Sequence, residues 1–289
     1  MLQAVIDGLL QGGVLALAAA GFSLVFGVMH VLNLTHGIFV LTGGYLALLI
    51  WHVTGIDPLL CIPAVGGVLF IVGYVYQRCL LQLAIQRASL MSTLIVTMGI
   101  ALASRNLLTL VFSPDVQTIR PWYATVHWTY RGLVVDVPHL LAFVASLSLL
   151  GILAAILERT SLGRMIRATA QQPLAARLCA IDVEHVFGLT FGLAAGFAGA
   201  AGVIVGMLFP FTPASEGQWT LYAFIVVVLG GVGSPGGALL GGLLLGLVGT
   251  LTVQLIGPAF PNAMAFLMLV LMLLVRPNGI LGNAFGASR

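Results

Sequence analysis

Few residues in this chain of 289 are of types that do chemistry, and their spacing excludes most of the chemistry they could do. The six histidines, at 30, 36, 52, 127, 139 and 185, contain no HExxH or comparable ligand pair, so no metal site is expected. Cys61, Cys79 and Cys179 are odd in number and far apart, which supplies neither a disulfide framework nor a CxxC centre. The run GVGSPG at 231–236 matches GxGxxG and follows the strand-like FIVVVLG. A dinucleotide fold needs an acid about 20 residues further on, however, and no Asp or Glu occurs after Glu216. All 11 basic residues are arginine. Without lysine there is no Walker A loop, so any ATP and Mg that drive this protein must sit on another subunit, and no cofactor is expected in this chain. No Ser, His and Asp arrangement can be argued from the few acids, and enzyme activity is not expected.

Two polar features remain inside apolar runs. Arg105 and Asn106 interrupt one, where an arginine either snorkels to the nearby segment end or makes an interhelical or path contact. NLTHG at 33–37 separates two others. It reads either as a capped turn or as an opened helix that exposes backbone groups to a cavity.

The elements that would hold these residues are set by composition. Sixty per cent of the residues are hydrophobic and 7% charged, against about 25% charged in a soluble domain; the mean hydropathy is +1.14. The polar surface needed to face water is missing, and the fold expected is an all-α, polytopic transmembrane helix bundle. Apolar stretches fall at 4–28, 37–53, 58–77, 90–112, 138–157, 185–209, 220–256 and 260–276. A 37-residue helix over 220–256 would be about 55 Å long, nearly twice the hydrocarbon core, so it must break, and GGVGSPGG at 230–237 is the place. Eight or nine membrane segments follow, depending on whether this stretch counts once or twice. Glycines 188, 192, 196, 199, 202 and 206 read as a close helix seam, because small residues let backbones approach in lipid, or else as a face lining a narrow path, and Gly237, Gly241, Gly242 and Gly246 read the same way on the next long helix.

Arginine placement orients the chain, since cytoplasmic loops are rich in Arg and Lys. Arg78, Arg87, Arg159, Arg164, Arg167, Arg177, Arg276 and Arg289 are assigned to the cytoplasm. The 113–137 loop, with Trp122, Tyr123, Trp128 and Tyr130, is assigned outside with the connections near Asp57 and Glu216; where every segment fully crosses, parity puts 33–36 inside and Asp7 outside. The arginines are scattered at segment ends rather than clustered, which argues against nucleic acid as a partner. The segment 158–185 is the longest polar, helix-forming stretch, with Pro173 placed to start a short second helix. It is either a plain cytoplasmic loop within one transmembrane domain of 1–289 or a docking surface for a cytosolic protein.

At these blocks the sequence resembles the branched-chain amino acid ABC importer permeases, specifically the first of their two permease subunits. GGVLALAAAGFSLVFGVMHVLNLTHG is similar to that family's first helix and its Asn-to-Gly signature, LGRMIRATAQQPLAARLCAIDV to its coupling loop, VLGGVGSPGGALLGGLLLG to its glycine-rich break and VRPNGILG to its tail. The resemblance implies that Gly163, Arg164, Arg167, Ala168, Pro173, Ala175, Ala176 and Arg177 form the ATPase-coupling segment. It also implies that Asn33, His36 and Gly37 shape a helix break near the translocation path, with Gly231, Gly233, Pro235 and Gly236 at the second break and Arg105 and Asn106 as further path candidates. The implied partners are a second permease subunit, two cytosolic ATPase subunits, an extracytoplasmic substrate-binding protein and membrane lipid. Hydrophobic amino acids are the expected cargo and the bacterial inner membrane the expected place. Urea or short amides are the alternative cargo, and a stand-alone secondary transporter or channel the alternative class, its broken helices suiting a pseudo-symmetric site. Ile38 stands where many relatives carry an acid. Ala180 stands where Gly usually precedes Ile-Asp, a change expected to stiffen the end of the coupling helix.

Overall fold

The computed structural model describes residues 1–83, 90–130, 133–276 and 278–282. Arg87, Arg131, Pro277 and Arg289 lie outside the described residues. Eleven α-helices are described: α1 (Leu2–Met29), α2 (His36–Thr54), α3 (Pro58–Tyr76), α4 (Leu90–Phe112), α5 (Val137–Arg159), α6 (Ser161–Gln171), α7 (Pro173–Leu178), α8 (Val183–Leu208), α9 (Glu216–Gly230), α10 (Pro235–Leu255) and α11 (Pro261–Val275). Seven are long and apolar enough to cross a bilayer: α1, α2, α3 with the π-turn Gln77–Leu81 that extends it, α4, α5, α8 and α10. The apolar α9 and α11 have 15 residues each, about 22 Å of helix, short of a full crossing. The 220–256 stretch therefore does divide, into one short and one full-length helix.

Local chemistry sets the boundaries. Asp57 caps α3, its carboxylate accepting from Leu59 N at 2.9 Å, with Pro58 at the first helical position where no donor is missed. Asp182 caps α8 and Ser234 caps α10 in the same way. The left-handed Gly55 ends α2. The all-helical expectation needs one addition among the described residues, an antiparallel hairpin of β1 (His127–Tyr130) and β2 (Leu133–Asp136) in the 113–137 loop. Each strand has four residues, the lower limit at which alternation signals a strand, and the aromatic residues of β1 read equally well as an interfacial belt. The loop is pinned to the bundle by Tyr123, whose hydroxyl donates to Asp57 Oδ1 at 3.1 Å; burial and that carboxylate push the phenol's pKa up.

Two helices, α1 and α8, form the buried centre, and glycine determines what packs on them. The expected seam on α8 is present. Gly192 and Gly196 leave room for the carbonyls of Phe70 and Gly66 on α3, each 2.9 Å from where a Cβ would stand, while Gly202 faces the Val40 carbonyl and Gly44 N on α2. A second seam joins α1 to α10 in antiparallel fashion: Gly12 faces Leu243, and Gly246 faces Gly8 and Gly12. In hydrocarbon these contacts replace the hydrophobic driving force that a soluble core would use.

A leucine at Gly202 must displace helix backbone rather than a side-chain tip. Gly202→Leu is expected to destabilise the bundle by about 3 kcal/mol, whereas Gly217→Leu, which has open space around it, is near neutral. Thermal aggregation of the detergent-solubilised chain, followed by size-exclusion chromatography, distinguishes the two.

Candidate functional site

The first helix break is held by its own side chains. Asn33 Oδ1 accepts from Thr35 N at 3.1 Å and from Thr35 Oγ1 at 2.6 Å, closing a local turn. Asn33, Thr35 and His36 are all buried. His36 Nε2 lies 2.6 Å from the Ala18 carbonyl, so that nitrogen carries the proton and donates. Ala18 is eleven residues from the end of α1, about 16 Å along its axis. The segment expected on the cytoplasmic side is thus turned back into the bundle, and α2 begins well within it.

α9 begins at the same place. Gly37 N donates to Thr220 Oγ1 at 2.9 Å, and a Cβ on Gly37 would collide with the Glu216 carbonyl. Glycine is required here by close approach rather than by backbone angle. Glu216, expected in an outer connection, is 7% exposed and pairs with Arg105, Nη1 to Oε1, at 3.4 Å. Its Oε2 is buried with no partner among the described residues. Arg105 therefore makes the interhelical contact rather than only snorkelling, and it brings α4 to the first break. Asn106 is not part of this group; it is exposed on α4 and makes no side-chain hydrogen bond with described residues.

The second break caps the other end of α9. Gly231 and Gly233 adopt φ of 104° and 83°, angles that a side chain would strain. Gly233 N donates to Ser23 Oγ on α1 at 3.0 Å, Pro235 occupies the first position of α10, and Gly236 has room around it. The exposed carbonyls at the end of α9 are satisfied by the C-terminal tail, Ile280 N to Leu229 O at 2.9 Å and Leu281 N to Gly230 O at 3.1 Å. A half-length helix is thus held at both ends by α1 and by elements far apart in sequence.

The polar segment 158–185 forms α6 and α7. Thr160 caps α6, its Oγ1 accepting from Gly163 N at 3.0 Å. Gly163 lies against the Leu157 carbonyl, which Arg167 Nη1 also reaches, so these two residues fasten α6 to the end of α5. Ile166 is fully buried, and α6 packs on α1 and α8. Ala176 is buried, Ala168 and Ala175 are half-buried, and Arg164, Pro173 and Arg177 are exposed. Two residues not singled out from the sequence, Leu174 and Leu178, flank Arg177 and are 69% and 85% exposed. Their signal was available, two leucines four apart on a six-residue helix of an otherwise polar segment. Ala180 overturns the expectation of a stiffer helix end. It lies beyond α7 at φ 61°, with Ile181 N donating to Ala176 O, a Schellman-type stop in which glycine is the unstrained residue.

A cavity of about 730 Å³ opens between the first half of α1, the first turns of α9 and α11 and the last turns of α10. None of the path residues named from the sequence lines it. Its polar lining includes Asp7, Gln11, Gln218, Tyr222 and Gln254. The polar stripe Gln3, Asp7 and Gln11 at four-residue spacing on an otherwise apolar helix was the sequence signal for it.

Broken helices tied into a glycine-packed bundle, with an amphipathic helical loop at one end, define a multi-pass membrane permease. The family described as branched-chain amino acid transport system / permease component matches residues 4–275, and the chain belongs to it. It is 30% identical to the high-affinity branched-chain amino acid transport system permease protein BraD of Pseudomonas aeruginosa over 98% of this chain and 96% of that protein. It is 29% identical to the LivH permease protein of the corresponding high-affinity system of Escherichia coli, with the same coverage of each chain. A probable branched-chain amino acid transport permease protein of Methanocaldococcus jannaschii is 27% identical over 95% of this chain and 90% of its own. No solved structure matches the chain.

Two outcomes are expected from this geometry. Ala180→Gly relieves the left-handed strain and stabilises the chain by about 1 kcal/mol, seen as a higher melting temperature. Arg105→Gln leaves Glu216 buried without its cation and costs about 3 kcal/mol, and adding Glu216→Gln recovers most of the loss; the same melting assay on single and double variants checks it.

Proposed function

We propose that this chain is a permease subunit of an ATP-binding-cassette importer that carries branched-chain and other hydrophobic amino acids across the bacterial inner membrane. The observation that carries this reading is family membership over nearly the whole chain, together with the solvent-facing Leu174, Arg177 and Leu178 at the tip of the 158–185 segment. The relatives' names favour amino acids over urea or short amides and favour a transport-system subunit over a stand-alone carrier. The permease makes no chemical bond. With no lysine for a phosphate-binding loop, ATP and Mg belong to two cytosolic ATPase subunits. A second permease subunit and an extracytoplasmic binding protein complete the assembly. The arginine distribution supports a cytoplasmic C-terminus.

In this reading, closure of the ATPases on ATP moves α7, which sits in a groove of the ATPase with Leu174 and Leu178 as its apolar contacts. α6 carries the motion because Arg167 and Gly163 tie it to α5 and Ile166 embeds it against α1 and α8. α1 holds both helix breaks, through Ala18 to His36 and Ser23 to Gly233, so its displacement reaches both ends of α9. The bias comes from the higher affinity of ATP for the closed ATPase dimer, as any ligand-driven population shift requires.

The paired substitution Leu174→Asp and Leu178→Asp leaves the bundle untouched and is expected to abolish leucine uptake, with the chain inserted at normal levels but no longer co-purifying with ATPase subunits. Normal uptake by that variant, or uptake by this chain alone in liposomes, removes the importer assignment.

A further inference from the structure

The cavity between α1, α9, α10 and α11 has the size of a small-molecule site, within the usual range of roughly 300 to 1,000 Å³. Its lining is chemically asymmetric. Asp7 is the one charged side chain among the described residues that line the cavity, and no described cation is among them. Asp7 is half-buried on α1; its Oδ1 accepts from Gln3 Nε2 at 2.9 Å, and its Oδ2 has no partner among the described residues. Gln3 is itself fixed, since its amide exchanges two hydrogen bonds with the Val134 backbone on β2. That arrangement orients the carboxylate while leaving one oxygen free. Gln11 and Gln254 make no side-chain hydrogen bonds with described residues, and Gln218 uses one amide hydrogen on Tyr222. Leu15, about two turns deeper than Asp7 on α1, forms an apolar end with Trp219, Leu245 and Ala265.

An ionisable side chain on an otherwise apolar helix is costly to place in a membrane protein and faces a cavity or a partner where it occurs. We propose that this cavity is an amine-binding site of the permease, in which Asp7 accepts the ammonium group of an amino acid and the wall formed by Leu15, Trp219 and Leu245 takes its aliphatic side chain. The free amides of Gln11 and Gln254 supply donors for the carboxylate. The proposal deepens the reading of the chain as an amino acid permease and rests on it for the identity of the ligand. It assigns selectivity for an ammonium group, which urea lacks, to the membrane subunit itself.

The test uses the full chain in membrane vesicles, with Cys61, Cys79 and Cys179 replaced by serine and a reporter Val253→Cys on the cavity wall. Its reaction with a cationic methanethiosulfonate is timed in the presence of L-leucine, isopentylamine or 4-methylpentanoate. Leucine and isopentylamine are expected to slow labelling, and 4-methylpentanoate, which has the aliphatic chain but no ammonium, is not. Asp7→Asn should raise the leucine concentration for half-protection about tenfold, in line with loss of a charge-assisted hydrogen bond, while Asp7→Glu stays within a few-fold. Equal protection by 4-methylpentanoate, unchanged protection in Asp7→Asn, or no protection by any ligand overturns the proposal. Leucine uptake dependent on the unsubstituted chain is measured alongside. Uptake without protection sinks the cavity assignment alone, whereas amine protection without any amino acid uptake sinks the transport reading and leaves the amine site standing.

Discussion

A helix that stops inside a hydrocarbon layer leaves backbone donors and acceptors with no water to satisfy them, and each such group left bare costs several kcal/mol. That constraint organises this protein. At the first break, Asn33 and Thr35 satisfy each other, His36 donates to the α1 backbone, and the Gly37 amide in the first turn of α2 is accepted by Thr220 of α9. At the second, Ser23 takes the Gly233 amide and the tail donates to the last carbonyls of α9. Neither break is closed by local contacts alone. Each borrows partners from a distant part of the chain, which is why α1, α2, α9 and the tail form one mechanical unit.

The same constraint explains the use of glycine. At Gly37 and Gly202 a side chain would meet backbone atoms, so the residue is needed for approach between helices; at Gly231 and Gly233 it is needed for the backbone angles that reverse the chain. Glycine thus serves both to bring helices together and to interrupt them. Ala180 marks the contrast, since it occupies a left-handed position without glycine's freedom on an exposed surface where the strain is tolerated.

Much of the fold was legible in the sequence because hydropathy and length act locally. The helix stretches, the division at 230–237, the glycine seam on α8 and the short helix opened by Pro173 all follow from residues within one or two turns. What escaped depended on contacts across the chain. Glu216 read as a loop acid until Arg105, more than a hundred residues away in sequence, proved to be its partner. The 33–37 segment read equally well as a capped turn or as an opened helix, and only the contact of His36 with Ala18 on α1 decided for a break inside the bundle. Leu174 and Leu178 were passed over for the arginines beside them, although they are 69% and 85% exposed.

Sequence alone determined that the chain is a membrane helix bundle with no lysine for a Walker A loop and that it resembles a permease family, since composition, the absence of lysine and ordered motif blocks are properties of the chain and not of its folding. Tertiary structure decided which polar residues work together. Asp7 and Gln254 share a cavity, and His36, Thr220, Glu216 and Arg105 share a break, because antiparallel glycine seams bring distant helices into contact. Spacing along one helix predicts which residues share a face; only the packing of several helices decides what that face meets.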